Sequence, residues 1–234
     1  MYTAPYASGR RSEVVYSELK KQLLAGDFPI GARLREVPLA EEFEVSRTPV
    51  REALTRLWSE GIVDRHPEGG FRPVLPDVSV IRDLYEVRIG LEHLALARPF
   101  QMGTVHERQR LVELRDSWSA LRDDDAIEPD PDFVLLDESF HVGLAEAAGN
   151  PAVVEMLRTV NERIRVVRMQ DFLTAERITQ TIEQHLGIIE GLLDRDITAA
   201  LSRFDAHLAQ SLDVVEERAL QACARMLRSG RDAT

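Results

Sequence analysis

"EEFEVSRTPVREALTRL", residues 41–57, decides how this chain is read. Val50, Ala53, Leu54 and Leu57 recur at helical spacing, which gives one buried helix face. Ser46 stands where an N-cap belongs, and its hydroxyl is expected to accept a first-turn N–H. Pro49 fits the first turn, and Gly61 ends the helix. Just upstream, Pro38 opens a shorter helix with Leu39, Ala40 and Phe43 inward, and "EVS" makes the turn between the two. In such a helix-turn-helix the start of the second helix enters the DNA major groove. Arg47, Thr48 and Arg51 fall on the exposed side of that start. Arginine forks to guanine or phosphate, and threonine bonds phosphate or touches a thymine methyl. The helix N-terminus adds backbone donors suited to phosphate.

Outward from this motif the pattern continues on both sides. Val15, Leu19, Leu23 and Leu24 predict a helix that stops at Gly26, followed by a turn and a short extended piece in "DFPIGARL". "IVDRHPEGGFRPV", residues 62–74, reads as a hairpin turning at Gly69 and Gly70. Helix, helix, turn, helix and hairpin make a winged helix-turn-helix over residues 11–75. His66 and Gly69 at the wing tip are candidates to approach the minor groove or the DNA backbone. Arg56, later in the recognition helix, is either a solvated side chain or a phosphate contact.

A net charge of −11 argues at first against nucleic acid. The charge is unevenly placed, however. Of 29 basic and 40 acidic side chains, residues 1–75 hold 11 of each, so the whole excess lies beyond Leu75. Two regions of different charge suggest two domains with different partners. No apolar run reaches the roughly 18 residues that span a bilayer, and the N-terminus lacks the apolar core of a secretion signal. The single Cys223 fits a reducing compartment. These features imply a soluble, cytoplasmic protein.

Beyond Pro76 the strand signals cease. Six helical stretches follow, near 78–102, 105–122, 131–147, 151–172, 174–194 and 196–228, separated by breakers such as "MGT", "DDDAIEPD", "AGNP" and "DRD". They predict an antiparallel all-α bundle over residues 78–228, joined to the first domain by a short linker near Pro73 and Pro76. Residues 1–10 are expected to be a flexible arm.

Three of these helices carry polar residues in otherwise apolar stripes. Val134, Asp137, His141 and Leu144 share one face; so do Ile178, Ile182, His185, Ile189 and Leu192; so do Ala200, Phe204, His207, Ser211 and Val214. Burying one aspartate and three imidazoles without partners would cost several kcal/mol, at the order-of-magnitude level. A divalent cation removes that cost. Imidazole nitrogen and carboxylate oxygen suit Zn²⁺ first, and also Ni²⁺, Mn²⁺ or Fe²⁺. Asp137 and His141 form an i,i+4 pair on one helix face, workable chelate geometry. His93 and His106 lie outside the pattern, as surface or packing residues.

The run Ser46-Arg47-Thr48-Pro49-Val50-Arg51-Glu52-Ala53-Leu54, within a match over residues 11–75, resembles the DNA-binding domain of the GntR family of bacterial transcriptional regulators. The resemblance implies that Arg47, Thr48 and Arg51 touch the operator and that Gly69 sits in the wing tip. Where some members carry a basic residue in the second helix, this chain has Val37, with Arg33 and Arg35 nearby. "LLDESFHVGLAEAAGNP", "EQHLGIIEGLLDRD" and "FDAHLAQSL" resemble the FCD ligand-binding domain of the FadR subfamily, and six helices resemble its VanR-like variant. That resemblance implies a metal site of Asp137, His141, His185 and His207, beside which a small organic acid binds. It also places an arginine at Arg88, whose guanidinium can fork to a carboxylate. An intrahelical salt bridge to Glu92 is the alternative for Arg88; Arg163 and Arg165 are lesser candidates.

The expected function is a repressor that binds a two-fold operator as a homodimer under control of a small carboxylate effector. A metal-dependent hydrolase or lyase acting on small hydroxy acids is the alternative, as is a regulator whose metal is only structural. No phosphate loop, nucleophile elbow or HExxH run supports the enzyme.

Overall fold

The structure, a computed structural model, describes residues 5–123 and 128–229. Residues 124–127, part of the acidic break, and residues 1–4 of the expected arm lie outside the described residues. The chain divides into two compact units: residues up to Pro76 with those from Arg218 onward, and Asp77–Glu217.

The first unit is built from α1 (Pro5–Ala25), α2 (Glu36–Glu42), α3 (Arg47–Ser59), β1 (Val63–Arg65) and β2 (Phe71–Pro73), together with the end of α9. Val15, Tyr16 and Leu19 of α1 pack with Val50, Leu54 and Leu57 of α3, all nearly inaccessible to water. The strands pair antiparallel, with Val63 opposite Pro73 and Arg65 opposite Phe71, and Leu34 adds a single bridge to Phe71. The short extended piece expected around Leu34 is this bridge. Gly69 and Gly70 turn the wing with φ of 88° and 84°, and a Cβ on Gly70 would sit 2.6 Å from the Leu34 carbonyl oxygen.

Three expectations need correction. Helix α1 begins at Pro5, so much of the expected arm is helical. Helix α2 begins at Glu36, two residues before Pro38, which the first turn tolerates because an N–H at that position would have no intrahelical partner, so proline's lack of one costs nothing. The last part of α9, from Arg218, belongs with the first unit and not with the bundle. There Met226 offers its carbonyl to the Ile30 N–H at 3.0 Å, and Ala222 fits against Gly26.

The second unit is helical: α4 (Val78–Gln101), α5 (Arg108–Arg122), α6 (Phe133–Ala147), α7 (Pro151–Arg168) with a tight turn over Met169–Phe172, α8 (Ala175–Leu193) and the first part of α9 (Ile197–Ser229). Asp77 caps α4 by accepting the Ser79 N–H at 3.1 Å. Helix α5 packs on α6 and α8, and α7 packs on α4 and α6. Ala95, Ala145, Val153, Val154 and Leu157 form one apolar cluster among α4, α6 and α7. Small side chains there let the helices approach closely. The inward faces of α6, α8 and α9 are the ones whose stripes carry the polar residues. Among the described residues no helix is long and apolar enough to cross a membrane.

Candidate metal centre and nucleic-acid interface

At the head of α3 the structure exposes Ser46, Arg47, Thr48 and Arg51. Ser46 occupies the N-cap position with extended backbone, φ −72° and ψ 165°, but its side chain caps no N–H. The expected hydroxyl cap is therefore absent. Arg47 forks to Glu36 of α2, at 2.8 and 3.2 Å. No hydrogen bond or ion pair engages the Arg51 side chain among the described residues. Arg56 lies further along, stacked over Tyr16 at 3.5 Å and paired with Glu13 and Glu60. It belongs to the α1–α3 packing. In the wing, His66 Nδ1 accepts the Glu68 N–H at 3.1 Å. Arg33 donates to the Gly69 carbonyl at 2.7 Å and to the Glu68 carbonyl, so it ties down the wing. The half-exposed Val37 leaves that position of α2 without a charge.

In the bundle, α6 brings Asp137 and His141, α8 brings His185 and α9 brings His207 to one point. All four are buried, with one ligand atom from each within 4.8 Å of the others. His207 Nε2 lies 3.2 Å from His185 Nε2 and 3.3 Å from His141 Nε2. The Asp137 carboxylate lies 3.4 Å from His185 Nε2 and 3.6 Å from His141 Nε2. Phe140 stacks flat on the His185 ring at 3.6 Å, and Trp118 meets its edge at 4.3 Å. These rings screen the cluster from water.

The outer nitrogens fix the tautomers. His141 Nδ1 donates to the Glu92 carboxylate, and His207 Nδ1 donates to Gln184 Oε1 at 2.9 Å. The Gln184 amide nitrogen is turned to Gln210, so its oxygen faces the ring. Protons on both Nδ1 atoms leave both Nε2 lone pairs pointing inward. Two lone pairs facing each other at hydrogen-bond distance repel unless a cation lies between them. The residues present therefore fit a divalent ion.

Electrostatics agree with that fit. Burial pushes His185 down to about 4, only partly offset by Asp137. Burial, with His185 and His141 beside it, holds His207 well below its ordinary value. Both rings are thus neutral and able to ligate. Burial would raise Asp137, but Arg168 and His141 outweigh it and hold the carboxyl well below its usual range. Burial would likewise raise Glu92, and His141 and Arg88 bring it below the ordinary value.

Arg88 is completely buried on α4. Its Nε donates to Glu92 at 2.7 Å, so the intrahelical pair weighed above does form. Its Nη1 and Nη2 have no hydrogen-bond partner, and Nη2 lies 3.8 Å from the Asp137 carboxylate. The lesser candidates sit elsewhere: Arg165 is paired with Glu138 at 2.8 Å and Arg163 is exposed. Sequence reasoning missed Arg168, fully buried on Asp137 and Asn161, and Arg177, which holds Asp171 at 2.8 Å. It missed them because neither shares a stripe with the histidines. It named Glu92 only as a partner for Arg88 and missed its contact with His141, and it missed Gln184, which meets His207 from behind.

Comparison with known proteins gives a family match for each of the two regions. Residues 11–72 match the gntR family of bacterial regulatory proteins, and residues 83–210 match the FCD domain. The Nta operon transcriptional regulator of Aminobacter aminovorans is 35% identical over 211 residues, covering 88% of this chain and 97% of that protein. The transcriptional repressor GlaR of Escherichia coli is 22% identical over 207 residues, covering 86% and 94%. Among solved structures, Lar, described as controlling expression of the Listeria monocytogenes agr system, shares the fold with a TM-score of 0.55 and 21% identity. That match covers 95% of this chain and 98% of the other. The metal-free FCD domain of TM0439 matches with a TM-score of 0.50 and 20% identity, over 61% of this chain and 96% of that one. Regulators of this kind bind operator DNA with the first domain and small-molecule effectors with the second. Bearing both domains in the same order, this chain belongs to the GntR family of bacterial regulatory proteins and is a DNA-binding transcriptional regulator.

Proposed function

We propose that a small organic acid, a hydroxy or keto acid, controls operator affinity by binding beside a divalent metal held by Asp137, His141, His185 and His207. The observation that carries this reading is the Arg88 guanidinium, buried with Nη1 and Nη2 lacking hydrogen-bond partners and with Nη2 3.8 Å from the Asp137 carboxylate. Leaving such donors unsatisfied costs free energy that an anionic ligand would return. A bound divalent ion supplies Lewis-acid attachment for a carboxylate and an adjacent oxygen. Arg88 grips a second carboxylate oxygen, and Phe140 and Trp118 exclude water from the ligating rings.

Ligand binding here engages α4, α6, α8 and α9 together. Helix α9 carries His207 and runs unbroken to Ala222 and Met226, which pack in the first unit. A small shift of α9 is thus a route from effector to operator. At the other end, Arg47, Thr48 and Arg51, with Ser46 beside them, read or clamp the operator, and His66 and Gly69 follow its backbone in the wing.

Thermal melts with Zn²⁺, Ni²⁺ or Mn²⁺, with and without chelator, across a panel of hydroxy and keto acids test the reading. A ligand that binds only the folded state must raise its stability. His185→Ala is expected to lose both the metal-induced and the acid-induced shift while still retarding operator DNA in gels. If His185→Ala, shown free of metal, still releases or takes up operator normally in response to the acid, the metal is structural and the reading fails.

A further inference from the structure

Glu92 holds both parts of the bundle site at once. It lies one turn after Arg88 on α4 and is 1% exposed. One carboxylate oxygen accepts the Arg88 Nε–H at 2.7 Å; the other accepts His141 Nδ1–H. A carboxylate can only accept, so this contact forces the His141 proton onto Nδ1 and frees Nε2 to ligate. The contact with Nε also fixes the guanidinium, whose Nη1 and Nη2 have no hydrogen-bond partner and whose Nη2 lies 3.8 Å from the Asp137 carboxylate. His207 is held by a neutral amide oxygen, and His185 Nδ1 has no partner at all. Among the described residues, His141 is therefore the only one of the three rings whose outer nitrogen meets a carboxylate.

We propose that Glu92 is a positioning residue that sets the ligating tautomer of His141 and links it to Arg88, so that metal affinity depends on the state of the arginine. The proposal rests on the metal reading above and concerns Glu92, which meets the His141 ring and the Arg88 guanidinium from behind. In families of metal sites, removing such an outer carboxylate weakens binding about ten- to a hundredfold.

The test uses the full-length protein and zinc alone, by competition against a chromophoric chelator. Glu92→Leu should lose about ten- to a hundredfold in zinc affinity. Glu92→Gln, which keeps an acceptor for His141 but cannot satisfy both neighbours, should recover part of that loss. Should Glu92→Leu fail to fold, by circular dichroism, the comparison of Glu92→Gln with wild type decides. The link is read from a cycle: Arg88→Met should change zinc affinity by a different factor in the wild-type and Glu92→Gln backgrounds. Equal zinc affinity in wild type and both folded Glu92 variants overturns the positioning role. Equal factors in the cycle overturn the link. A wild-type protein that takes up no zinc, nickel or manganese overturns the metal reading itself, and this inference with it.

Discussion

Arg47 and Arg51 lie one turn apart on α3, yet they begin from different states. Arg47 is held by Glu36 across an exposed ion pair. Such pairs are worth about 0–1 kcal/mol, so DNA can recruit the side chain at little cost. Arg51 has no comparable partner to leave. Arg51→Ala is therefore expected to cost about 1–3 kcal/mol of specific affinity if it reads a base. Gel-shift titration of the folded variant decides, and an unchanged affinity takes Arg51 out of the interface. His106 offers a different residue-level prediction. Buried, with one nitrogen at 3.2 Å from the Ala95 carbonyl, it is pushed below its ordinary 6.5 by burial. The folded state thus keeps the ring neutral where the unfolded chain takes up a proton. Its stabilising contribution is complete above pH 6.5 and is lost as pH falls toward the depressed folded value. Urea unfolding of the metal-free protein should show stability falling over that range, with a shallower slope in His106→Gln. Identical slopes would show that His106 does not contribute.

At the scale of elements, the end of α1 shows how local and distant constraints combine. Gly26 adopts φ of 78°, the left-handed conformation that closes the helix, and a Cβ there would lie 2.5 Å from the Ala222 carbonyl oxygen of α9. The left-handed backbone alone costs a non-glycine residue about 1–2 kcal/mol. Overpacking adds about 1–3 kcal/mol. Gly26→Ala should lower stability by at least about 2 kcal/mol, read as a reduced midpoint in chemical unfolding. Gly31, with φ of 79° and open space where a Cβ would sit, is the control: Gly31→Ala should show the backbone cost only. Equal losses in the two variants would mean that α9 does not press on Gly26.

For the molecule as a whole, charge and repeat geometry set the expectation. One helix-turn-helix reads a short half-site, and pairing two copies doubles the contacts along one DNA face. We expect a homodimer on a two-fold operator. Light scattering of the free protein and of its operator complex should give twice the chain mass, and monomers in both would refute the expectation. The acidic excess lies beyond Leu75, while the first 75 residues are neutral overall and include Arg47 and Arg51. Coupling between effector and operator in such switches is about 1–3 kcal/mol, a roughly 5- to 150-fold response.

Periodicity in the sequence determined the helices, because an amphipathic stripe is written in local spacing. It placed α3 to within a residue or two, predicted the glycines at which the wing turns, and aligned Asp137 with His141, His185 and His207 toward one interior. The stripes told which way each ligand faces, since burial of an ionisable side chain has few solutions. What lies behind the ligands was decided only by tertiary packing. Glu92 touches His141 across 49 positions, Arg168 reaches Asp137 across 31, and Gln184 reaches His207 across 23. No local pattern encodes such pairs, because their partners meet only when separate helices pack. The same holds for the end of α9: its apolar spacing reads as one more bundle helix, but Ala222 and Met226 find their partners at Gly26 and Ile30 near the other end of the chain. A helix stripe specifies that a face is buried, and the neighbours that bury it are chosen by the fold.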